Sequence, residues 1–223
     1  MSLISRLTAR LQNHPKRIVF PEGETLKVLR AAPILVGDRH RFKVNAARLN
    51  ISLEGIRVIE PERSDEAKGF AEKLAAIQRY GNTNLQGDPA QLALNPNYFA
   101  CLMAATGGAD ALISGATTHA ASGLRAILQV MPRQQGVETV SSMQILESEE
   151  GKFGIDGVLF LADCGVIPDI PAYGQILTGL ERPAAEISRG ASAHDIFGTA
   201  VIVAAQAVDK SYLFPKLKDG PAA

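Results

Sequence analysis

The chain has 223 residues, 46% of them hydrophobic and 21% charged, and its 23 basic side chains balance 23 acidic ones. A net charge of zero lacks the basic surface of a protein that binds nucleic acid or an anionic membrane, so neither is an expected partner. The longest apolar run, Tyr98 to Ala105, is too short to cross a bilayer, and two cysteines make neither a disulfide framework nor a zinc site. The composition predicts a soluble, cytoplasmic globular protein.

The first 21 residues contain four basic side chains and no acidic one. Ile4, Leu7 and Leu11 recur there at helical spacing. A transit peptide has this composition, but an amphipathic first helix is the more common explanation. We therefore expect a helix here, with a transit peptide as the alternative.

Short apolar runs then alternate with segments of helical periodicity, which is typical of βα units around a parallel sheet. The expected strands are 18–20, 34–36, 56–59 and 111–114. The expected helices are 25–32, a helix capped by Ser64, 95–106 and 119–130. After Gly136 the pattern predicts two strands, 139–146 and 157–162, then a Pro/Gly-rich stretch and a buried closing helix, 192–208.

The chain contains none of the common cofactor signatures. It has no Gly-x-Gly-x-x-Gly after a strand, no Walker A loop and no His-Glu-x-x-His. The four histidines are scattered along the sequence, so we expect no metal site. These absences argue against a dehydrogenase and against a P-loop NTPase.

The segment Ser114-Gly115-Ala116-Thr117-Thr118 ends an expected strand and precedes an expected helix. Backbone N–H groups at a helix start bind anions, and small residues let a phosphate approach, so Ser114, Gly115 and Thr117 are candidate substrate-binding residues. Arg125 follows two turns into the helix. An ordinary strand-to-helix turn with a threonine N-cap explains the same spacing.

A second informative segment runs from Ser188 to Asp195, just before the closing helix. Arg189 beside Gly190 suits a phosphate clamp, because a guanidinium group offers a fork of donors that matches phosphate oxygens. Ser192 and Asp195 also have the spacing of a capping box, which would make Asp195 structural. The residues alone leave the two interpretations open.

Several motifs together resemble the phosphate acetyltransferase and butyryltransferase family. The C-terminal one is Ser188-Arg189-Gly190-x-Ser192-x-x-Asp195-Ile196, followed by Gln206-Ala207. The others are Val19-Phe20-Pro21-Glu22-Gly23-Glu24, Pro33-Ile34-Leu35-Val36-Gly37, Ala109-Asp110-Ala111-Leu112-Ile113-Ser114-Gly115-Ala116 and Ala162-Asp163-Cys164. They occur in the family's order over most of the chain.

The resemblance implies reversible transfer of an acetyl or other short acyl group between coenzyme A and inorganic phosphate, with no cofactor besides these substrates. Asp195 matches the carboxylate that takes the thiol proton, and Ser188 matches a hydrogen-bonding serine. Arg189, Arg125 and, on the weakest match, Arg79 correspond to arginines that hold phosphate and acyl-phosphate oxygens. The family is typically dimeric, so a homodimer is expected.

The implied fold is an α/β three-layer sandwich with a mostly parallel sheet, similar to the isocitrate/isopropylmalate dehydrogenase-like fold. Family enzymes have two lobes with the active site between them, whereas this chain is about a third shorter than is usual. It resembles a single domain, 1–223, in which 139–183 is a remnant of a truncated second lobe. Two alternatives follow: an inactive relative that binds ligands or subunits, and an enzyme of the same fold with another phosphorylated or acyl substrate.

Overall fold

The computed structural model describes residues 2–22, 28, 34–81, 83–117, 120–148, 154–162 and 172–208. The helices in these ranges are α1 (Leu3–Leu11), α2 (Arg39–Leu49), α3 (Glu66–Tyr80), α4 (Pro89–Leu94), α5 (Pro96–Ala105), α6 (Ala120–Val130) and α7 (Ala193–Val208), with a 3-10 turn at Pro61–Arg63. The strands are β1 (Ile18–Phe20), β2 (Ile34–Val36), β3 (Arg57–Ile59), β4 (Ala111–Ser114), β5 (Ser141–Glu147), β6 (Val158–Ala162), β7 (Ala172–Thr178) and β8 (Ala184–Glu186).

One eight-stranded sheet holds all of these strands, in the order β3-β2-β1-β4-β8-β7-β5-β6. The first five strands in that order are parallel to one another. The last three continue the sheet with antiparallel pairs. The chain is therefore a mixed α/β protein, as the sequence predicts at this coarse level.

Helices cover both faces of the parallel part, and β1, β2, β4 and β8 are therefore buried on both sides. Val19 of β1 points into a core shared with Phe70, Leu74 and other side chains of α3 to α6. Its neighbour Phe20 points to the opposite face, where Phe42 of α2 and residues of α7 pack. This alternation is what a strand between two helical layers produces.

The antiparallel part has a smaller core of its own. Tyr173 and Ile176 of β7 pack there against Val201 of α7 and Ile4 of α1. Ser2 caps α1, since its hydroxyl accepts a hydrogen bond from the N–H of Ser5 at 3.1 Å. The helix expected at the start of the chain is thus present, packed on the last helix.

Most of the expected elements are confirmed, within one or two residues at their ends. The expected helix at 25–32 falls largely outside the described residues. Four elements were not expected: α2, α4, β7 and β8. The hairpin of β5 and β6 is not isolated, because β5 also pairs with β7 and thereby joins the main sheet.

Candidate active site

The carboxyl ends of β1, β4 and β8 lie side by side, because these three strands are parallel neighbours. We call the row of strand ends on this side the sheet edge. Glu186, the last residue of β8, is in register with Ser114, the last residue of β4. The N–H of Ile187 donates to the carbonyl oxygen of Ser114 at 2.7 Å. The fold thus places side by side the starts of the two segments that the sequence singles out, 114–118, of which 114–117 are described, and 188–195.

Ser114 and Gly115 are packed tightly against the end of β8. The Ser114 side chain is buried, and its hydroxyl donates to Oε2 of Glu186. Gly115 has a φ of 98°, and a Cβ atom at this position would lie 2.2 Å from the carbonyl oxygen of Ile187. Only glycine fits this turn without strain.

The N–H of Thr117 faces a carboxylate of the protein itself. It donates to Oε2 of Glu22 at 3.0 Å, and Glu22, which follows β1, is buried. This hydrogen bond joins the ends of β1 and β4. The N–H expected to meet a phosphate therefore already has an anionic acceptor, while Thr118 lies outside the described residues.

Glu186 is a buried carboxyl group that the sequence analysis missed. Its side chain is 4% exposed, and its Oε1 has no hydrogen-bond partner among the described residues. Burial raises the pKa of Glu186 to about 7; the charge of Glu22 acts in the same direction, and the hydrogen bond from Ser114 opposes both. The only signal in the sequence is an acidic residue between Ala185 and Ile187, inside an apolar run.

Asp195 and Ser192 form the capping box that their spacing predicts. The N–H and the hydroxyl of Ser192 donate to Oδ2 of Asp195 at 2.8 and 2.7 Å. In return, the N–H of Asp195 donates to the Ser192 hydroxyl at 3.2 Å. Both bonds to the carboxylate use Oδ2, and Oδ1 makes no hydrogen bond among the described residues. Asp195 therefore has a structural role, and one oxygen is left for chemistry.

Ser188 and Arg189 lie between the sheet and this cap. The Ser188 hydroxyl accepts a hydrogen bond from the N–H of Gly190 at 3.1 Å, which closes a tight turn. Arg189 is exposed within that turn. Its guanidinium group is therefore accessible to a ligand at the edge of the sheet.

Tyr173 lies beneath the start of α7. Its hydroxyl is 3.3 Å from Nε2 of His194 and 3.5 Å from Oε2 of Glu147. Burial raises the pKa of Tyr173 to about 12, and the charges of Glu147 and Asp195 add to the effect. The phenol therefore stays protonated at neutral pH, and it can donate a hydrogen bond.

Arg125 lines a cavity of about 600 Å³ on the α3–α6 side of the molecule. The cavity is rich in amide and hydroxyl groups; its lining residues are Asn84, Gln86, Leu92, Asn95, Asn97, Tyr98, Ser122, Arg125 and Gln129. Ser188, Arg189 and Asp195 are not among them. The structure thus has Ser188, Arg189 and Asp195 beside the strand ends and Arg125 in the lining of this cavity.

Arg79 belongs to neither group. It is exposed in the last turn of α3, and its guanidinium carbon lies 5.8 Å from the ring centroid of the adjacent Tyr80.

Within the described ranges, no cluster of three His, Cys, Asp or Glu side chains could hold a metal ion. None of the helices described is long and apolar enough to span a membrane.

The amino-acid sequence is similar to those of bacterial phosphate acetyltransferases. The phosphate acetyltransferase of Thermoanaerobacterium thermosaccharolyticum is 29% identical over 220 residues, which cover 88% of this chain and 66% of that protein. The phosphate acetyltransferase of Helicobacter pylori is 30% identical over 175 residues, or 73% of this chain and 32% of that one. The chain thus spans between about a third and two thirds of these relatives.

Two solved structures share the fold. A EutD phosphotransacetylase from Staphylococcus aureus superposes with a TM-score of 0.76 at 19% identity, covering 92% of this chain and 98% of that one. A phosphotransacetylase from Streptococcus pyogenes gives a TM-score of 0.73 at 19% identity, covering 93% and 99%. A sequence model described as phosphate acetyl/butaryl transferase matches residues 2–172, well over half of the sequence. The chain therefore belongs to the phosphate acetyl/butaryl transferase family.

Proposed function

We propose that the chain is a phosphate acyltransferase, which transfers an acetyl or other short acyl group reversibly between coenzyme A and inorganic phosphate. The observation that carries the proposal is the meeting of segments 114–117 and 188–195 at one sheet edge. In the direction of thioester synthesis, the coenzyme A sulfur attacks the acyl carbon of acyl phosphate. The C–S bond forms, the C–O bond to phosphate breaks, and phosphate leaves with the electron pair of that bond.

Asp195 takes the thiol proton in this proposal. Transfer from a free thiol to a free aspartate is uphill by about 6 kcal/mol, so the thiolate needs stabilisation. Asp195 lies in the first turn of α7, and the dipole of this helix stabilises the negative charge of a thiolate close to its N-terminus. Its Oδ2 is held by Ser192, and Oδ1 is available to accept the proton.

The arginines supply positive charge for the phosphate and for the acyl oxygen. Arg189 is accessible six residues before Asp195, and Ser188 helps to shape its turn. Arg125 lies in a polar cavity that could hold a phosphorylated ligand, and Arg79 is the weakest of the assignments. Fixed cations stabilise negative charge that develops during attack on the carbonyl carbon.

A noncatalytic ligand-binding or subunit-interaction module is the second candidate. One specific observation favours it: the Thr117 N–H and the Ser114 hydroxyl already bond to carboxylates of the protein. A phosphate at this segment would have to compete with Glu22 for the N–H. Turnover decides between the two candidates.

The decisive experiment measures thioester formation from acetyl phosphate and coenzyme A. Asp195→Asn should lower kcat by about 100-fold or more, because it removes the base but keeps an oxygen that can accept the cap bonds. Ser192→Ala is the matched control: it breaks the cap, which destabilises the fold by about 1 kcal/mol, but leaves the carboxylate in place.

Turnover in the wild type that survives Ser192→Ala and is lost in Asp195→Asn supports the enzyme and its base. A folded wild type without turnover would leave the noncatalytic candidate. Turnover that is lost in Ser192→Ala but kept in Asp195→Asn would show that Asp195 acts only through the cap.

The proposal also includes the second lobe, the cellular location and the fold name. We infer that 139–183 is the remnant of a second lobe; its strands β5 to β7 provide the antiparallel end of the sheet. We also infer a cytoplasmic location, because coenzyme A thioesters are formed and consumed inside cells. The fold name, dehydrogenase-like, is supported by the helical layers on both faces of the parallel strands.

A homodimer is supported by the edge strand β6. Leu159 and Phe160 are 38% and 60% exposed there, and β6 is the last strand of the sheet within the described residues. Light scattering on the wild type and on Phe160→Ser tests this part of the proposal. A dimer that dissociates more readily in the variant supports it, and a monomeric wild type contradicts it.

A further inference from the structure

The carboxyl group of Glu186 fills a tight space beside segment 114–117. Its carboxyl group lies between the β4–α6 segment and α6: a Cβ atom at Gly115 would be 2.6 Å from Oε1, and one at Gly123 would be 2.8 Å from Oε2. Two glycines thus leave the space that the carboxyl group fills. One oxygen bonds to Ser114, and the other has no partner among the described residues.

Among the described residues, the titratable groups that act on the pKa of Glu186 supply no positive charge. From the end of β1 it is faced by Glu22, whose negative charge opposes ionisation of Glu186. From α5 it is faced by the buried thiol of Cys101, whose pKa is raised by burial and by the charge of Glu186. Glu186 makes no ion pair within the described ranges. Ionisation therefore places a second negative charge beside Glu22.

We propose that Glu186 is a positioning residue, whose protonated carboxyl group holds segment 114–117 in the form that accepts an anionic substrate. This inference rests on the proposed function, because that function places a phosphate beside the segment. In the ionised form, Glu186 and Glu22 together repel the substrate. Glu186 itself touches no reacting atom.

The charge of Glu186 changes within the neutral range, since its pKa is about 7. The protonated fraction falls about tenfold between one pH unit below that value and one unit above it. If only the protonated form is competent, KM for an anionic substrate rises by the same factor, about tenfold. Acetyl phosphate is the suitable substrate, because its charge stays constant over this range.

The test compares wild type with Glu186→Gln, which mimics the protonated carboxyl group and can still bond to Ser114. We expect KM for acetyl phosphate to rise about tenfold with pH in the wild type and to stay flat in the variant. Glu181→Gln, at an exposed acidic residue shortly before β8, is the matched control and should follow the wild type. A variant that keeps the wild-type pH dependence overturns the proposal.

A second measurement does not depend on turnover. Sulfate is a dianion throughout this range, and its binding, measured by calorimetry, should weaken with pH in the wild type and not in Glu186→Gln. An inactive wild type that shows this difference contradicts the proposed function but supports the role of Glu186. Sulfate binding with the same pH dependence in both proteins contradicts that role.

Glu22→Gln provides a further test if Glu186→Gln does not fold. Removing the neighbouring charge lowers the pKa of Glu186, so the midpoint of the KM profile should move to lower pH. An unchanged midpoint overturns the proposal. The amide oxygen that this substitution introduces can still accept the bond from Thr117, so the segment stays tied to β1.

Discussion

At the scale of single residues, the candidate site is dominated by carboxyl groups that the fold has enclosed. Glu22 and Glu186 are both buried, and each accepts a hydrogen bond from segment 114–117. Glu186 makes no ion pair among the described residues, and a buried carboxyl group in that situation is destabilised in its charged form. The folded protein therefore holds a proton on Glu186 that the unfolded chain releases.

This difference makes stability depend on pH. The pKa of Glu186 is about 7 in the fold and about 4.5 when the group is unperturbed, so the contribution of its proton is complete below the lower value. It is lost as pH rises through the upper value, with a total of about 3 kcal/mol. Denaturant unfolding should show wild type losing this amount relative to Glu186→Gln. Parallel stability curves of the two proteins would contradict the assignment.

The two acidic residues of the site differ in how far they could be predicted. Asp195 is predictable because Ser192 and Asp195 have a fixed spacing ahead of a long apolar helix, and local hydrogen bonds decide a capping box. Glu186 is not predictable in this way. Its burial depends on Ser114, 72 positions earlier, and on glycines in and before α6, and no local pattern contains such a contact.

At the scale of elements, α7 packs closely against the sheet where Gly198 faces β7. A Cβ atom there would lie 2.2 Å from a ring carbon of Tyr173 in β7. Tyr173 is buried and bonded through its hydroxyl, so the ring cannot move away freely. The packing of the helix that carries Asp195 therefore depends on the absence of one methyl group.

Gly198→Ala should destabilise the fold by about 2 kcal/mol or more, because the added methyl group overpacks this contact. Gly69→Ala provides the contrast: Gly69 is exposed within α3, and a Cβ atom there meets nothing within 4 Å. That substitution should stabilise the protein by about 0.5–1 kcal/mol through helix propensity alone. Thermal unfolding measures both, and a neutral Gly198→Ala would contradict the contact.

Helices with a clear apolar stripe could be predicted, and short or polar ones could not. Phe70 and Leu74 recur at helical spacing in α3 and are buried. The helix α2 has few apolar residues, and only Phe42 and Ala46 are buried. Its start depends on Asp38, whose side chain accepts hydrogen bonds from two N–H groups, and one capping residue without an apolar stripe does not predict a helix.

At the scale of the whole molecule, the sheet has a parallel part built around β4 and an antiparallel end at β6. The parallel strands β1, β2, β4 and β8 are buried, whereas β6, the last strand among the described residues, has exposed side chains. The parallel part was predictable from alternating apolar runs. The strands β7 and β8 were missed because glycines and prolines mask them, and their pairing is set by distant strands.

Hydrogen exchange should reflect this division. Amides of β4 should be the most protected, because opening them requires global unfolding, and those of β6 should exchange through local opening. Mass spectrometry of peptic peptides, or NMR on single amides, measures the difference. Equal protection of β4 and β6 would contradict the picture of a stable centre and a weaker end.

The order of the strands also has a consequence for biosynthesis. When β4 has left the ribosome, the edge of β4 that later pairs with β8 has no partner strand. The reason is that β8 is encoded about 70 codons later, after β5, β6 and β7 have been made. At about 5–20 residues per second this interval lasts several seconds. An apolar strand edge exposed for that time is a template for wrong pairing. The nascent chain is therefore exposed to wrong pairing at β4 until β8 has been made.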